Sequence, residues 1–538
     1  MTPVARSLPF LHLNEDILFY IFSLNANSAD SFIPGRPRLG MSSLDRASAP
    51  LTVTRKSSQV CHKWRRLILS SPTLWANSLD LELLAGGNDN WRNEVVKRTG
   101  NCLLTVVGTI SRIVSDKECM RDFLEVFLDE NWARIRRLLI NDYFYDAADW
   151  EELLQRPAPN LEQLCIQGDV PFEDMDDGIL FSGTSPRALR EVQLRFRLTV
   201  DPAHPWYNNL RHFHDLCVDK FTASQFLRGL KLLPHLETLG ITNTFFHYEV
   251  DQSLIPVQIP NLSRLSITES NVMTIILLLK YIVPGPHCSL IFNDWDESRD
   301  LSSDIVTNFL DIGAALSTFL RHQSYQHRTF PNFHYYEMSD HGHFNIHDGR
   351  QFLDITLEDI KTILSNNGNN WPGFVAQVNA ALLSGLVDPI STTTKLHLAV
   401  HQLPSPSDSM LSFLNHFKNV NTLETDAKTL QIIREAEQIH QEGNLGSLNL
   451  FPSVCNIVVH DWQRYEPLDS QEIYQFVRSR KDHAMPIKKV SFESRDISIM
   501  SVEEAASWRA LASELDFEVE FESGAIHDDL ANISDSDI

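Results

Sequence analysis

Apolar residues recur along the middle of the chain in one short pattern, apolar-x-x-apolar-x-apolar. Alternate residues of an extended strand face the same side, so each copy predicts a short strand with one buried face. Helical stretches such as 222–233 and 271–283 lie between copies, and a proline, which disfavours helix, precedes several of them. Successive copies start at a nearly constant spacing. Their first residues are Ile135, Leu161, Leu189, Phe213, Leu236 and Leu262.

This spacing resembles the period of leucine-rich repeats, roughly 20–29 residues, in which each unit is a strand plus a helix and the strands stack into a parallel sheet. The pattern loosens between about 293 and 390, where Phe333 starts a degenerate copy, and returns at Val454 and Ile487. We therefore predict an α/β fold over 80–523. It is an irregular leucine-rich-repeat-like solenoid with parallel strands inside and helices outside. The alternative is an ordinary α/β domain with unrelated strands.

A different periodicity occupies the N-terminal segment and predicts three short helices. Asn14 is a good N-cap, and two acidic residues follow it in the first turn, where the helix dipole favours them. A second apolar face runs through 60–68, and a third helix starts at Ser71-Pro72, with proline in its first position. Three short helices enclose a small core. The excess of large apolar side chains indicates a partner surface.

These helices resemble an F-box, the three-helix motif that docks on the Skp adaptor of SCF-type cullin–RING ubiquitin ligases. The matching segments are 13–22, 58–65 and 71–75, and their most specific pieces are Val-Cys-x-x-Trp-Arg and Ser-Pro-x-Leu-Trp. An F-box followed by a repeat body is similar to the large F-box family of mushroom-forming fungi. The resemblance assigns 8–79 to the F-box. It implies packing or adaptor contact for Leu13, Ile17, Ile21, Val60, Cys61, Trp64, Pro72, Leu74 and Trp75.

Two features depart from the usual F-box. The family's Leu-Pro start is Leu13-Asn14 here. In addition, residues 25–50, rich in serine, proline and arginine, separate the first helix from the second and predict a flexible, solvated insert. The alternative interpretation of the whole segment is a plain three-helix bundle packed on the rest of the chain, because apolar stripes at helical spacing usually face a core.

Charge is distributed unevenly along the 538 residues. The chain carries 70 Asp/Glu and 46 Lys/Arg, a net charge of −24, whereas residues 1–80 hold nine basic and five acidic residues. An acidic chain argues against a nucleic-acid partner. The weakly basic N-terminal segment favours an acidic protein partner.

The compartment follows from what the sequence lacks. No apolar stretch reaches the about 20 residues that a membrane-spanning helix needs, so we expect no membrane association, and we expect no secretory signal. The seven cysteines are scattered, with no two close enough to form a Cys-x-x-Cys motif, which is typical of reduced thiols. We therefore expect an intracellular protein, in the cytoplasm, the nucleus or both.

Candidate chemistry is sparse. The sequence contains no nucleotide-binding loop, zinc-protease motif or hydrolase elbow, so we expect a non-catalytic protein with no cofactor and no bound metal. Six histidines lie within 322–347 and would suit a divalent metal if a strand aligned them on one face. The alternative is a polar strand or loop. The segment 524–538 contains four aspartates and predicts a disordered acidic tail.

The expected function is that of a substrate receptor. The F-box brings the chain to the Skp adaptor and the cullin–RING ligase, and the repeat body holds a protein to be ubiquitinated. The alternatives are a repeat scaffold outside ubiquitin transfer and a metal-dependent enzyme built on the histidines of 322–347.

The substrate is expected on residues that flank the central apolar position of each strand, because these point away from the core. Glu191 and Asp215 lie in the middle of this row and favour a basic segment of the substrate. The candidate substrate contacts are Arg137, Gln163, Glu191, Gln193, Asp215 and Arg264.

Overall fold

The computed structural model shows a mixed α/β protein with parallel sheet, in two compact units, Met1–Leu262 and Ser263–Ile538. Within the described residues no helix is long and apolar enough to cross a membrane. The structure describes residues 13–29, 32, 43–110, 117–142, 147–167, 172–175, 181, 186–194, 196–198, 205–216, 222–242, 244, 246, 254–268, 270–285, 288–293, 311–316, 318–319, 332–337, 342–347, 352–357, 393–400, 411–412, 414–442, 449–460, 470–492 and 502–521.

The first unit begins with helices and continues as a sheet. Its helices are α1 (Glu15–Asn25), α2 (Ser43–Ser48), α3 (Pro50–Ser57), α4 (His62–Leu69), α5 (Pro72–Ala76), α6 (Leu81–Ala85), α7 (Asp89–Arg98), α8 (Lys117–Asn131), α9 (Ala147–Leu154) and α10 (Ala223–Leu230). Its strands are β1 (Leu79–Asp80), β2 (Leu104–Ile110), β3 (Ile135–Asp142), β4 (Gln163–Gln167), β5 (Phe172–Met175), β6 (Glu191–Leu194), β7 (Phe196–Leu198), β8 (His212–Leu216), β9 (Thr238–Thr242) and β10 (Val257–Ile259). Strands β1, β2, β3, β4, β6, β8 and β9 pair in this order, all parallel.

The core of this sheet is formed by the apolar positions of the repeated pattern. The central residues of neighbouring strands lie in register and are almost completely buried: Leu138, Leu164, Val192, Phe213 and Leu239. Parallel strands in chain order require a crossover after each strand, and helical or irregular segments supply it. The predicted strands therefore occur, and their apolar positions share one face.

In β8, the strand of the fourth copy, the apolar positions of the pattern fall on other residues than the sequence predicts. The sequence pattern starts at Phe213 and makes Leu216 its centre, whereas the structure pairs Phe213 with the central Val192 and Leu239. Leu210, three residues earlier, is buried and takes the first position of the pattern. The frame that starts at Leu210 puts Asp215 at its third apolar position, so the sequence alone favours the frame that starts at Phe213. Pairing with the neighbouring strands selects the Leu210 frame, and a register shift after Phe213 brings Leu216 opposite Ile241.

A side-chain hydrogen bond recurs between consecutive copies. In each case the donor is the side chain of the residue just before the first apolar position of a copy. The acceptor is a backbone carbonyl of the preceding copy, two residues before the first apolar position of that copy. Asn160 donates to Ala133 O (2.8 Å), Asn209 to Arg187 O (3.1 Å) and Asn261 to Pro234 O (2.8 Å). In the second unit Ser453 donates to Lys418 O (2.7 Å) in the same way. The bond at Asn209 agrees with the frame that starts at Leu210.

The second unit is also built around one sheet, in which parallel and antiparallel strand pairs are mixed. Its strands are β11 (Arg264–Thr268), β12 (Ile282–Pro284), β13 (Ser289–Asn293), β14 (Asn332–Glu337), β15 (Gly342–His347), β16 (Phe352–Leu357), β17 (Lys395–Val400), β18 (Thr422–Thr425), β19 (Asn456–Val459), β20 (Lys489–Phe492) and β21 (Glu518–Phe521). Its helices are α11 (Val272–Tyr281), α12 (Ala427–Glu442), α13 (Ser470–Asp482) and α14 (Val502–Leu515). The sheet order is β11, β13, β16, β15, β14, β17, β18, β19, β20 and β21.

The loosened part of the sequence pattern has a structural cause in this unit. Strands β14, β15 and β16 form an antiparallel meander, and its outer strands pair in parallel with β17 and β13. Three strands separated by only four residues each in the sequence break the one-strand-per-helix spacing. The copies predicted at Val454 and Ile487 correspond to β19 and β20. In β14 it is Phe333 that lies opposite the central Leu396, so Phe333 is a central residue and not the first of its copy.

The N-terminal helices continue directly into the sheet. The predicted boundary between 79 and 80 falls inside β1, which pairs with β2, and the helices belong to the same compact unit as the first sheet. Arg136 of β3 donates to the side chain of Asn77 (2.9 Å), just after α5. In the structure the two compact units divide after residue 262.

The described ends of the insert are packed, unlike the solvated loop that the sequence predicts. Ala26, Ser28 and Ala49 are buried. Ser28 Oγ donates to Asn77 O at 2.7 Å, and α2 and the start of α3 lie in the C-terminal part of this segment. Packing against α5 and the sheet outweighs the polar composition there. The predicted tail, 524–538, lies outside the described residues.

Candidate functional site

Helix α1 carries two apolar stripes, and only one of them is covered in the first unit. Asn14 caps the helix, its side chain accepting from Asp16 N, as the sequence predicts. Leu18 and Phe22 face the other helices and are buried. The second stripe, spaced at i, i+3, i+4 and i+7, consists of Ile17, Tyr20, Ile21 and Leu24, which are 50%, 64%, 39% and 61% exposed. Val60, just before α4, is 63% exposed.

Beneath this surface lies a closed aromatic core. Trp64 of α4 meets Phe22 edge to face, with ring centroids 5.0 Å apart. Trp75 of α5 is fully buried, donates from Nε1 to Ile68 O at 3.0 Å, and lies under the guanidinium of Arg98. Leu74 is equally inaccessible. These contacts give α5 a packing role.

The structure thereby divides the residues that the resemblance assigns to packing or adaptor contact. Ile17, Ile21, Val60 and Pro72 are exposed. Leu13, Cys61 and Trp64 are half-buried, and Cys61 accepts from Trp64 N as the N-cap of α4. Leu74 and Trp75 are core residues. Tyr20 and Leu24 complete the exposed stripe. The sequence-based prediction does not include them, although they follow Ile17 at helical spacing.

Basic side chains lie on α3 and α4, the helices that contact α1. Lys56 at the end of α3 and Arg65 on α4 are exposed on either side of Val60 in the sequence. Arg66 forms an exposed ion pair with Glu15 at 2.7 Å. Exposed apolar side chains and exposed basic side chains thus occur together on these helices.

The far face of the sheets, opposite the apolar core rows, holds the predicted substrate contacts. Arg137, Gln163, Glu191 and Gln193 are half-buried on the first sheet, and Arg264 is exposed in the second unit. Next to them, Val107, Leu139 and Cys165 form a buried cluster against Ala29 and Phe32. Residues of the insert therefore cover part of the face that the sequence analysis left open.

The frame of β8 replaces one carboxylate of the acidic centre that the sequence predicts for this face. His212 and His214 flank Phe213, their rings stacked at 6.3 Å, where Asp215 and Cys217 were expected. Asp215 lies at the register shift between Phe213 and Leu216. The row thus carries two histidines beside Glu191. A basic substrate segment is no longer favoured by a pair of carboxylates.

A second cluster lies on the far face of the second sheet. His397 on β17 is the register partner of Glu424 on β18, and each lies between two buried residues. His460 follows the end of β19 directly. The Nδ1 atom of His397 is 3.4 Å from Oε2 of Glu424, and the rings of His397 and His460 stack at 5.4 Å. One ligand atom from each of the three residues lies within 4.8 Å of the others. Lys395 contacts Oε1 of Glu424 at 2.5 Å.

The electrostatics of this cluster keep its groups in defined protonation states. Burial lowers the pKa of the His397 imidazole despite the opposing pull of Glu424. Burial also pushes the pKa of Glu424 upward, but hydrogen bonds from His397 and Lys395 outweigh that effect and hold the pKa at about 2. At neutral pH His397 is therefore neutral and Glu424 is ionised.

Strand β14, within the histidine-rich segment 322–347, pairs with the strand that carries His397. His334 of β14 pairs with His397 of β17, and His343 and His347 lie on β15. His322, His327 and His341 lie outside the described residues. The sequence pattern indicates this segment as a metal candidate. It does not indicate His397, Glu424 and His460, because these three lie far apart in the sequence.

A polar cleft between α12 and α13 has charges that are paired internally. Arg480 is almost fully buried, and its Nη2 donates to Oε1 of Glu437 (3.0 Å) and to Leu450 O (2.6 Å). Burial raises the pKa of Glu437 against the pull of Arg480. Arg434 pairs with Glu472 at 2.9 Å, again linking the two helices. This arrangement holds the helices together.

Comparison with known proteins adds no assignment, since neither a protein-family model nor a curated protein sequence matches this chain. The resemblance to F-box proteins therefore depends on the residues quoted above.

Proposed function

We propose that this protein is a non-catalytic substrate receptor of an SCF-type cullin–RING ubiquitin ligase, acting inside the cell. Its N-terminal helices, as an F-box, dock on the Skp adaptor, and its sheets, as an irregular leucine-rich-repeat-like solenoid, hold a protein substrate. The protein contributes proximity, since a substrate held near a ubiquitin-loaded enzyme reacts at a raised effective concentration.

The observation that supports this proposal best is the second apolar stripe of α1. A helix that belongs only to a core has one apolar face, whereas α1 exposes Ile17, Tyr20, Ile21 and Leu24 in addition to its buried side. Contiguous exposed apolar surface is typical of protein–protein interfaces. Two of the four residues coincide with positions that the F-box resemblance assigns to adaptor contact.

The sheets support the second half of the proposal. Parallel strands in chain order and a hydrogen bond repeated between copies are features of repeat proteins, which commonly bind partners across extended surfaces. The half-buried polar residues Arg137, Gln163, Glu191 and Gln193 remain our candidate substrate contacts in the first unit. Arg264 is the candidate in the second.

The test measures binding of the full chain to a purified Skp adaptor from the same organism. We expect Tyr20→Ala and Leu24→Ala each to weaken binding at least about tenfold, because truncating central apolar anchors commonly costs 1 to more than 2 kcal/mol. Ile255→Ala is the matched control, since Ile255 is 66% exposed in the same unit. It should leave adaptor binding unchanged.

Two outcomes would contradict the proposal. Undiminished adaptor binding by the Tyr20→Ala, Leu24→Ala double variant would show that α1 is not the docking surface. Recovery of the adaptor from cells without cullin would favour a repeat scaffold that acts outside ubiquitin transfer.

A further inference from the structure

We propose that His397, Glu424 and His460 bind one divalent transition-metal ion of the Zn²⁺ class on the far face of the second sheet. This site is separate from adaptor docking and does not depend on the proposed function. Its support is the placement of three metal-binding side chains from three neighbouring parallel strands.

The three residues are brought together by strand register. Leu396 and Leu398 are buried in the core, so His397 between them faces the opposite side of β17. Glu424 lies between buried Leu423 and Thr425 in the same way and is the register partner of His397.

His460 continues the alternation of β19 beyond buried Val459, and its backbone N–H donates to Thr425 O at 2.9 Å. This bond extends the pairing of β18 and β19 by one step. It places His460 beside the end of β18, on the strand next to Glu424.

The distances suit a small coordination sphere. Ligand bonds of about 2.0–2.1 Å place neighbouring donors of a tetrahedral ion about 3.3 Å apart. The 3.4 Å separation between His397 Nδ1 and Glu424 Oε2 already matches this value. The third donor lies within 4.8 Å and needs only a small side-chain adjustment. Two imidazoles and one carboxylate are a common ligand set for zinc.

The neighbouring groups are compatible with a bound cation. Lys395 contacts Oε1 of Glu424, whereas the metal would take the place of the His397 contact at Oε2. Hydrogen bonds to a ligating carboxylate are usual in metal sites. The side chain of Lys395 is 45% exposed, which screens its charge.

A metal at this position would join strands β17, β18 and β19 and stabilise the second unit. Three protein ligands leave a fourth coordination position for water or for another side chain. On the other neighbouring strand of β17, which is β14, the register partner of His397 is His334.

The experiment titrates the chelator-treated full chain with Zn²⁺ by calorimetry and with Co²⁺ by visible absorption. We expect one ion per chain. Each of His397→Ala, Glu424→Gln and His460→Ala should weaken binding at least about tenfold, since even outer-shell losses cost 10–100-fold. His212→Ala is the matched control, because His212 is also a half-buried sheet histidine near a carboxylate, 4.0 Å from Glu237. It should bind like the wild type.

Thermal unfolding keeps the test valid for weakly folded variants. Zn²⁺ should raise the unfolding temperature of the wild-type chain, because a ligand that binds only the folded state stabilises it, and should not raise that of Glu424→Gln. The absence of saturable one-to-one binding would overturn the proposal. So would binding that survives all three substitutions, or binding lost only with His343→Ala and His347→Ala, which would place the metal in the histidine-rich segment alone.

Discussion

At the residue scale, neighbouring side chains of α1 have opposite environments. Leu18 is buried and Ile17, one position earlier, is half exposed. A rotation of about 100° per residue separates them, so one contacts the core and the other faces away from it. Trp75 and Ile17 both belong to the F-box resemblance, yet their surroundings give them different roles. Substitution of either would lower adaptor recovery in cells, through folding in one case and through contact in the other.

We predict that Trp75→Ala lowers the free energy of unfolding by about 3–5 kcal/mol, the usual cost of truncating a large buried aromatic residue. The variant also loses the hydrogen bond to Ile68 O. Ile17→Ala should change the free energy of unfolding by no more than about 0.5 kcal/mol, as most surface substitutions do. Chemical denaturation of both variants measures the difference. Equal stability of the two would show that Trp75 is not part of the core.

At the element scale, each strand is positioned by its neighbour as well as by its own pattern. The frame of β8 shows this, since its apolar pattern starts at Phe213, yet pairing with β6 and β9 selects the frame that starts at Leu210. The recurring bond from the residue before each copy supplies a second constraint. It ties the turn that precedes a strand to the equivalent turn of the preceding copy.

Asn209→Ala should therefore destabilise the first unit by about 1 kcal/mol, the typical net contribution of one hydrogen bond. The bond lost is the one from Asn209 to Arg187 O. Asn208→Ala is the matched control, because Asn208 is exposed and adjacent, and it should change stability by less than about 0.5 kcal/mol. Urea denaturation of the two variants decides the matter. A larger loss in Asn208→Ala would contradict the assigned role of Asn209.

At the scale of the whole molecule, charge is segregated. Residues 1–80 carry an excess of basic side chains, whereas the chain as a whole has a net charge of −24. Such a distribution steers partners of different charge to different parts of one protein. An acidic adaptor would approach the N-terminal helices, where the exposed apolar stripe lies.

Association with the adaptor should consequently slow as salt rises. Between about 0.1 M and about 1 M salt the screening length falls from about 10 Å to about 3 Å. The Lys56→Gln, Arg65→Gln double variant should have a lower association rate at low salt and a weaker salt dependence. Arg228→Gln with Lys231→Gln is the control, since both residues are exposed in the same unit, at the end of α10 and just after it. An association rate that does not respond to salt would contradict electrostatic steering.

The sequence by itself determined the local features of this protein. The Asn14 cap, the proline start of α5 and the apolar centres of most strands follow from contacts within a few residues, which periodicity reports directly. It also determined the separation of charge and the segments that resemble an F-box.

Only the tertiary structure decided which apolar residues of α1 and α5 are covered, since burial depends on segments that are distant in the chain. It also packed Phe32 against Leu139 and Cys165 and made Phe213 the central residue of β8. It brought His460 close to Glu424 and His397. Each of these outcomes depends on the pairing of strands or the packing of segments far apart in sequence. A local pattern carries no information about such contacts, and for that reason the cluster of His397, Glu424 and His460 was not visible in the sequence.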